Sequence, residues 1–516
     1  MAAQVAERTP INTKGSDLSR KVDEAWAALI AANDADEPRV MVRGNELVRL
    51  TERGELEPFG PDSLKDELSR VADFGGMTKE GGWQGKEPPT QVVKSLLARD
   101  SSEYEGAPRV DRVVDTPVVG ADGSLVSQPG HHPASRLYYR PADDLANVRP
   151  AVVDHLGDLE DARTLLLDDL LGDFGFRDQA SRANALGLLL LPFVREFIGD
   201  SPTPMHTIIA PERGTGKTLL AQTALLPGCG LVPMTTASRN NGDEWRKSLT
   251  ASLLRGSRAI IFDNVNDALA SSDLASVLTT GIWRDRILGA SREVTLPVRN
   301  AWVATGNNMA LSEELARRAV PIFLDPGEVN PAKRPKSEFR HPDLIGWTRA
   351  NRPEYVEAAL TLIQHWLDGE VVMDGAGAFD RVSSSRFATD RTLGSFEMWA
   401  EVVGGILKAA DVPDFLANLD QLDAEVNEET HEVTEFLAAW HDLQMDAQTS
   451  DDLALLCGPG GILHGTAPIE LTNGDVKSTR LWLRSYTARN GSRDRFGGYQ
   501  LIRTDGRPKR WHVRKA

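Results

Sequence analysis

The first 145 residues contain short apolar runs separated by turn residues. Runs on either side of Gly44-Asn45 predict a hairpin, because a two-residue turn of this kind matches the twist of paired strands. Pro61 is followed by Leu64, Leu68 and Val71 at helical spacing, which predicts a helix with one apolar face. A second helix and a second hairpin follow. The pattern predicts a small α+β accessory domain over this stretch.

In the rest of the chain, the spacing of apolar residues alternates between helical and β-type periods. Acidic, Leu-rich residues 146–200 predict a helical linker or collar. In residues 201–330, β-type apolar runs alternate with helical segments, which is typical of a parallel α/β sheet. Helical patterns continue over 331–445, and 446–516 form a separate small domain. We therefore expect an α/β fold with a central sheet between an N-terminal α+β domain and a C-terminal domain.

The C-terminal domain combines a helix with a hairpin. The helix is predicted over residues 475–490, and the two apolar runs after it flank Asp505-Gly506, a strong hairpin signal. A helix followed by a β-wing resembles a winged-helix DNA-binding domain. Arg480, Arg484 and Arg489 are spaced so that they share a helix face, and we expect them to contact DNA phosphates.

The charge distribution supports a local nucleic-acid surface. The formal net charge of the chain is −17, which argues against nucleic-acid binding if the charge is evenly spread. From Lys477 onward, however, the chain contains twelve Lys and Arg residues and only two acids, so this segment has a formal charge of +10. Clustered cations are what phosphate neutralisation requires. A solvated basic tail is the alternative interpretation.

Other composition features narrow the class of protein. No run of about 18 apolar residues occurs, and residues 1–14 lack the apolar segment of a signal peptide, so we expect a cytoplasmic protein without a membrane partner. Cys229 and Cys457 cannot build a disulfide framework or a four-thiolate zinc site. We expect both to be packing residues.

The strongest chemical signal is an apolar run, a Gly-containing loop and a helix start. Residues 205–210 (MHTIIA) precede PERGTGKT, and a helical LLAQTAL pattern follows. Such a loop directs backbone N–H groups at phosphates, Lys217 reaches the β and γ phosphates, and Thr218 holds Mg²⁺. Pro211 replaces the first glycine of the usual pattern. The residues expected to bind ATP are Glu212, Arg213, Gly214, Thr215, Gly216, Lys217, Thr218 and Leu219.

Two further strand ends carry candidate catalytic groups. Asp263 ends the apolar run RAIIFD, where a second carboxylate on the Mg²⁺ side belongs. Asn307 follows the run AWVAT, and an amide there can position the attacking water. Arg317 and Arg318 end a helix predicted from Leu311. A cation at a helix end can act through the helix dipole alone, but in an oligomeric ATPase this position reaches the neighbouring subunit's γ-phosphate.

The order of these elements resembles AAA+ ATPases, specifically the superfamily 3 helicases and the helicase halves of phage, plasmid and pathogenicity-island primase-helicases. The phrases TGNNMALSEELARRAVPIFLD, FRHPDLIGW and GSFEMWAEVVGGILKAADVPDFLAN resemble the actinobacterial branch. The resemblance covers roughly residues 110–516. It implies a hexameric ring that acts on DNA, with ATP and Mg²⁺ as cofactors and a separate primase or polymerase as a possible partner.

The resemblance assigns roles to the candidate residues. It makes Lys217 and Thr218 the Walker A pair, Asp263 the Walker B acid and Asn307 the sensor 1 residue, with Arg317 or Arg318 as the arginine finger. One position departs from the pattern: Asn264 stands where many AAA+ proteins have a glutamate as general base. An amide cannot accept a proton, so another group must orient water, Asp267 being one candidate, or hydrolysis is slow.

The resemblance also implies a hairpin that projects into the ring and contacts a DNA strand. The corresponding stretch is 285–296, with two β-type runs around Gly289-Ala290-Ser291. Arg292 is the first candidate for the phosphate contact and Arg286 the second. An ordinary surface hairpin is the alternative.

The expected function is an ATP-dependent DNA helicase or translocase for replication of a phage or mobile element. One alternative is an initiator or helicase loader that remodels DNA without translocating. Another is an ATP-switched DNA-binding regulator, which Asn264 keeps open. The sequence has neither a cysteine cluster typical of a primase zinc module nor a clear polymerase carboxylate triad.

Overall fold

A computed structural model describes residues 8–515 with several gaps. The residues outside the description are 1–7, 16, 35–36, 53, 149–155, 237–241, 266–268, 270, 287–292, 308, 310, 326, 328–333, 369–371, 374–378, 381–388, 390, 488–498, 505 and 516. The chain forms two compact units. The first contains 1–264, 271–307 and 318–416, and the second contains 265–270, 308–317 and 417–516.

The N-terminal part of the first unit is a mixture of short strands and helices. Its elements are β1 (Thr9–Asn12), α1 (Leu18–Ala31), β2 (Met41–Arg43), β3 (Glu46–Leu50), β4 (Leu56–Pro58), α2 (Pro61–Val71), β5 (Ala72–Met77), β6 (Trp83–Gly85), α3 (Thr90–Leu97), β7 (Arg112–Val114), β8 (Val118–Val119), β9 (Leu125–Val126), β10 (Gly130–His132) and β11 (Leu137–Tyr139). Strands β2 and β3 pair antiparallel around Gly44-Asn45, and Leu64, Leu68 and Val71 are buried on α2. Both predictions for this stretch are confirmed.

Helices then lead into the central sheet. Helix α4 (Leu156–Thr164) continues into a π-helical turn over Leu165–Leu170, and α5 (Gln179–Ile198) follows. Almost every residue of α5 is buried. A helix that is apolar on all sides must lie inside the fold, because no face of it favours water. The Leu-rich pattern therefore marks an internal helix beside the sheet.

The central part of the first unit has a five-stranded sheet in the described residues, with strand order β13-β14-β17-β12-β18. Its elements are β12 (Met205–Ala210), α6 (Lys217–Cys229), β13 (Met234–Thr236), α7 (Gly242–Leu254), β14 (Ala259–Val265), α8 (Ser272–Leu278), β15 (Ile282–Arg286), β16 (Glu293–Pro297), β17 (Ala301–Asn307) and β18 (Ala319–Phe323). Helix α9 (Glu313–Ala316), which lies between β17 and β18 in the chain, belongs to the second unit. Strand β12 is parallel to both neighbours, β17 and β18, and β13 is parallel to β14. The expected mixed α/β fold with a parallel sheet is confirmed.

Helices follow the sheet, as predicted. They are α10 (Leu344–Ala350), α11 (Arg352–Asp368) and α12 (Glu397–Ala409), with a short pair of strands, β19 (Val372–Met373) and β20 (Phe379–Asp380), between the last two. Among the described residues, no helix combines the length and hydrophobicity needed to cross a membrane.

Ion pairs between a half-buried aspartate and two arginines join the N-terminal part to the rest of the first unit. Asp115 accepts Arg258 at 2.9 Å and Arg352 at 3.1 Å, and the Thr116 hydroxyl donates to the Gly228 carbonyl at 2.7 Å. Burial works to raise the pKa of Asp115, but the two guanidinium groups outweigh it and hold that pKa below its ordinary value. The segment before β8 is therefore held by charge-assisted contacts to Arg258 and Arg352, and by a neutral hydrogen bond to the end of α6.

The second unit has its own apolar core. It contains α13 (Leu419–Asp442), α14 (Ser450–Cys457), α15 (Val476–Tyr486), β21 (Tyr499–Arg503) and β22 (Trp511–Lys515). Strands β21 and β22 form an antiparallel hairpin. The core includes Phe436, Trp440, Leu453, Cys457, Leu471, Trp482, Leu483, Leu501 and Trp511. Cys457 is a packing residue, as expected, and Cys229 is a half-buried free thiol at the end of α6.

Candidate functional site

Three strands end at the same edge of the central sheet. Strand β17 lies between β14 and β12, and its last residue, Asn307, pairs with Ala210 at the end of β12. Asp263 lies near the end of β14. The carboxyl ends of strands in an open α/β sheet form a ligand-binding edge. The fold therefore brings both strand-end candidates, Asp263 and Asn307, to one edge beside the glycine loop.

The loop between β12 and α6 presents a helix N-terminus to solvent. Gly216 is the residue before α6 and has φ 87°, a left-handed conformation that favours glycine. Residues 211–214 are exposed, whereas Lys217 and Thr218 are half-buried. The first-turn N–H groups of a helix lack intrahelical partners and attract anions. Glu212, Arg213 and Gly214 thus lie on the open side of the loop, and Leu219 is 38% exposed.

Lys217 lies at the centre of this edge. Its Nζ donates to the Glu212 carbonyl at 2.9 Å, to Thr215 Oγ1 at 3.0 Å and to Asn307 Oδ1 at 2.6 Å. Burial lowers the pKa of Lys217 from its ordinary value, while the charge of Asp263 acts in the opposite direction. These three hydrogen bonds hold the ammonium group through neutral oxygens, which a phosphate can replace.

Asp263 is bound by two hydroxyl groups on neighbouring elements. Thr218 Oγ1 donates to Asp263 Oδ1 at 2.6 Å, and Thr305 Oγ1 donates to the same oxygen at 2.8 Å. Thr305 also accepts the backbone N–H of Asn264 at 3.0 Å. A single buried hydroxyl therefore orients both the carboxylate and the residue after it.

Sequence reasoning missed Thr305. It lies two residues before Asn307 on β17, and side chains two apart point to the same face of a strand. That spacing is the signal that could have identified it. The ring of Phe174 lies beside Gly216, where an added Cβ would be 3.4 Å from it.

The donor set at this edge fits a nucleotide with Mg²⁺. Mg²⁺ in phosphate sites takes one or two protein oxygens and completes its shell with phosphate and water. Thr218 and Asp263, whose oxygens are 2.6 Å apart, are such a pair. No group of three or more His, Cys, Asp or Glu that could hold a metal occurs among the described residues.

Asn264 occupies the position after the acid in a left-handed conformation. Its φ is 54°, and its side chain is exposed while its N–H is held by Thr305. The side-chain amide can donate and accept hydrogen bonds, but it cannot take up a proton. Asp267, the other candidate for orienting water, lies outside the described residues.

The two arginines follow a much shorter helix than expected. Helix α9 covers only Glu313–Ala316, because Leu311 forms a bridge to Leu269 and Arg317 ends the helix. The predicted helix from Leu311 through Arg318 is therefore wrong in its length. Arg317 is 70% exposed and pairs with Glu313 one turn earlier.

Arg318 lies directly before β18, at the opposite end of the strands from the glycine loop. Its carbonyl accepts the Met205 N–H at 3.0 Å, and Met205 pairs with Ala319 at the start of β18. The glycine loop follows Ala210 at the other end of β12. At about 3.3 Å per residue, these two ends are roughly 17 Å apart along the strand. The backbone of Arg318 is thus far from the glycine loop of its own chain.

The predicted hairpin before β17 is present. Strands β15 and β16 pair antiparallel from Ile282↔Pro297 to Arg286↔Glu293. Arg286 is 82% exposed and lies 3.8 Å from the Glu293 carboxylate. Arg292, the first candidate for a DNA contact, lies outside the described residues.

One face of α15 in the second unit is cationic and exposed. Lys477, Arg480, Leu481 and Arg484 are exposed at positions i, i+3, i+4 and i+7, whereas Thr479, Trp482 and Leu483 are buried. Arg480 also contacts Ser450 Oγ at 3.4 Å. Arg480 and Arg484 share a face as predicted, and Arg489 lies outside the described residues.

Comparisons with known proteins show weak likeness to helicases. No protein-family profile matches the chain, and no curated protein matches it. Two structures of JCV helicase have 14% and 17% sequence identity and a TM-score of 0.22; they cover 56% and 53% of this chain, and this chain covers 69% and 72% of theirs. A third structure, SCCmec type IV Cch, an active helicase, has 11% identity and a TM-score of 0.28, with coverage of 89% and 92%. Identities and TM-scores this low define no family for the chain.

Proposed function

We propose that the chain is an ATP-dependent DNA helicase or translocase that serves replication of a phage or another mobile genetic element. The proposal rests on one arrangement above all: Lys217, Asn307 and the Thr218–Asp263 pair meet at the carboxyl edge of the sheet. A mobile cation, an amide and a hydroxyl–carboxylate pair are the groups that phosphoryl transfer requires. The link to mobile elements rests on the sequence resemblance alone.

Each group has a distinct role in ATP hydrolysis. Lys217 binds the β and γ phosphates in place of its present partners Asn307 and Thr215. Thr218 and Asp263 hold Mg²⁺, which supplies neutralisation of the charge that develops on the transferring phosphoryl group. Asn307, released from Lys217, orients the attacking water.

The remaining roles belong to the assembled ring. We propose a hexamer in which Arg317 or Arg318 reaches the nucleotide of the neighbouring subunit. Support comes from Arg318, because its backbone lies at the opposite end of β12 from the glycine loop of its own chain. The β15–β16 hairpin, with Arg286 and Arg292, contacts a DNA strand, and the cationic face of α15 contacts duplex DNA as part of a winged helix. A separate primase or polymerase is the partner in replication.

The test combines ATP hydrolysis with strand separation. Purified protein is assayed for Mg²⁺-dependent ATPase activity with and without DNA, and for unwinding of a forked duplex. We expect both activities in the wild type and neither in Lys217→Ala. Lys94→Ala is the matched control, because Lys94 is an exposed lysine of α3. Equal ATPase activity in Lys217→Ala and Lys94→Ala would overturn the nucleotide site, and ATPase without unwinding would overturn the helicase.

Asn264 favours a second candidate function. Without a carboxylate after Asp263, hydrolysis is slow unless another group orients water. A protein that binds ATP firmly and turns it over slowly is suited to act as a replication initiator, a helicase loader or an ATP-switched DNA-binding regulator. Tight ATP-dependent DNA binding together with only single-turnover hydrolysis would favour this candidate over a translocase.

A further inference from the structure

The turn of the N-terminal β2–β3 hairpin lies against the backbone of β16. Gly44 has φ 57°, and a Cβ at this position would collide with the carbonyl oxygen of Thr295. Thr295 is in the middle of β16, where it pairs with Arg284 of β15. The approach is backbone to backbone. A substituent at Gly44 must therefore move one hairpin relative to the other.

The residue before this turn binds the end of α7. Arg43 is buried, and its guanidinium donates to the Leu253 carbonyl at 2.6 Å and to the Leu254 carbonyl. It also donates to the Asp111 carbonyl at 2.9 Å. Leu253 and Leu254 are the last residues of α7, where carbonyl groups lack intrahelical donors and a cation is favourable. Arg43 thus fixes the C-terminus of α7 to the N-terminal part.

Helix α7 in turn holds the other strand of the β15–β16 hairpin. Thr250 Oγ1 donates to Asp285 Oδ2 at 2.5 Å and accepts the Trp283 indole N–H at 2.9 Å. Arg246 donates to Asp285 Oδ1 at 2.8 Å and also lies over the Trp283 ring. Both α7 residues therefore bind β15, at Trp283 and at Asp285. Burial works to raise the pKa of Asp285, but the hydrogen bonds from Thr250 and Arg246 keep it below its ordinary value.

We propose that Arg43 and Gly44 form a positioning element that sets the orientation of the β15–β16 hairpin. Gly44 acts directly on β16, and Arg43 acts on β15 through α7. One dipeptide of the N-terminal part thus constrains the position of both strands of the hairpin. The effect of this positioning element on DNA binding rests on the proposed function, in which the β15–β16 hairpin contacts a DNA strand.

The experiment compares two glycines with the same backbone conformation. Gly54 has φ 78°, and no described atom lies within 4 Å of the point that its Cβ would occupy, so Gly54→Ala carries the left-handed penalty without a collision. Gly44→Ala carries the same penalty and the collision with Thr295. The readouts are amide hydrogen exchange of residues 282–286 and 293–297, basal ATPase, and the concentration of a single-stranded oligonucleotide that gives half-maximal ATPase stimulation.

We expect faster exchange in the hairpin of Gly44→Ala than in Gly54→Ala. We also expect the half-maximal DNA concentration to rise roughly 5-fold or more, the size of a typical coupling between sites. Basal kcat and KM for ATP should be unchanged, which a general loss of folding would not allow. Thr250→Val should act in the same direction, because it releases β15 without altering the N-terminal part.

Two results would overturn the inference: equal hairpin exchange in Gly44→Ala and Gly54→Ala, or altered exchange in Gly44→Ala with unchanged DNA stimulation. Failure of DNA to stimulate the wild type at all would instead count against the proposed function. In that case the exchange comparison alone decides whether Arg43 and Gly44 position the hairpin.

Discussion

Lys217 Nζ donates to Asn307 Oδ1 at 2.6 Å, so the lysine of the glycine loop is bound to the amide at the end of the adjacent strand. In this arrangement each group is the other's hydrogen-bond partner. Under the proposed function, a phosphate that binds Lys217 releases the Asn307 amide at the same moment. Phosphate binding and water positioning would then be linked through this one hydrogen bond.

The first prediction concerns Asn307→Ala. ATP binding should remain within a few-fold of wild type, because Lys217 and the loop are intact. The kcat of hydrolysis should fall roughly 10²-fold, the cost of removing one preorganised polar group from a transition state. Steady-state ATPase assays and nucleotide titration measure the two effects. Asn307→Asp should instead weaken ATP binding, because a carboxylate pairs with Lys217 and repels phosphate. Wild-type turnover in Asn307→Ala would contradict the role of Asn307.

Thr305→Val should raise the Mg²⁺ concentration needed for half-maximal ATPase activity. The substitution keeps the side-chain shape but removes the hydrogen bond that holds Asp263. Hydrogen bonds to charged groups contribute about 1.5–3 kcal/mol, so a shift of about tenfold or more is expected. Thr207→Val is the matched control, because Thr207 is a buried threonine of β12 whose hydroxyl contacts only the Val320 carbonyl, at 3.4 Å, in the described structure. Equal Mg²⁺ dependence in the two variants would argue against an orienting role for Thr305.

Arg317→Ala and Arg318→Ala should leave ATP binding nearly intact, while one of them stops hydrolysis. Stabilisation of the transferring phosphoryl group by a neighbour's arginine is worth roughly 10³-fold or more in rate. Mixing the inactive arginine variant with Lys217→Ala should restore some activity, because mixed rings contain interfaces with one intact lysine and one intact arginine. ATPase assays over a range of mixing ratios measure this. Two active single variants, or no restoration on mixing, would remove the support for a ring.

The exposed face of α15 predicts a change in the salt dependence of duplex DNA binding. Arg480→Gln combined with Arg484→Gln should weaken binding and lower the slope of log K against log salt by about 2, near 0.9 for each lost phosphate contact. Leu481→Ala is the control on the same face, since it is 64% exposed and uncharged. Truncation from Leu471 is a poorer test, because Leu471 belongs to the core of the second unit. An unchanged slope in the double variant would exclude this face from DNA binding.

His206 predicts a loss of stability in acid. It is fully buried on β12 with its ring edge-on to Trp399, and burial lowers the pKa of His206 to about 3. The unfolded chain takes up this proton near pH 6.5, so folding is favoured above that pH and stability falls as the pH is lowered toward 3. The contribution is up to about 1.4 kcal/mol per pH unit.

Replacing His206 should remove this contribution. Urea unfolding of His206→Leu should therefore show a smaller decrease in the free energy of unfolding between pH 6.5 and pH 4 than the wild type. His131→Leu, at a half-buried site, should keep the wild-type decrease. If His206→Leu loses stability in acid as steeply as the wild type, other groups control the acid transition.

The sequence alone determined the local elements of the site. The apolar run, the glycine loop and the helix start at Lys217 are contiguous, so their geometry depends on neighbours along the chain. The hairpin around Gly44-Asn45, the apolar face of α2 and the alternation that produces the parallel sheet are also local patterns. Their periods of two and 3.6 residues follow from the backbone itself.

Only the tertiary structure decided which distant residues meet. Placing β17 between β14 and β12 brings Thr305 to Asp263 and Asn307 to Lys217, and no spacing along the chain specifies that order. The same is true of Arg318 at the far edge of the sheet and of Gly44 against Thr295. Strand order is selected by the burial of whole apolar faces and by long-range ion pairs, a global balance of free energy. A side chain's partners across the sheet therefore emerge only when the entire fold has formed.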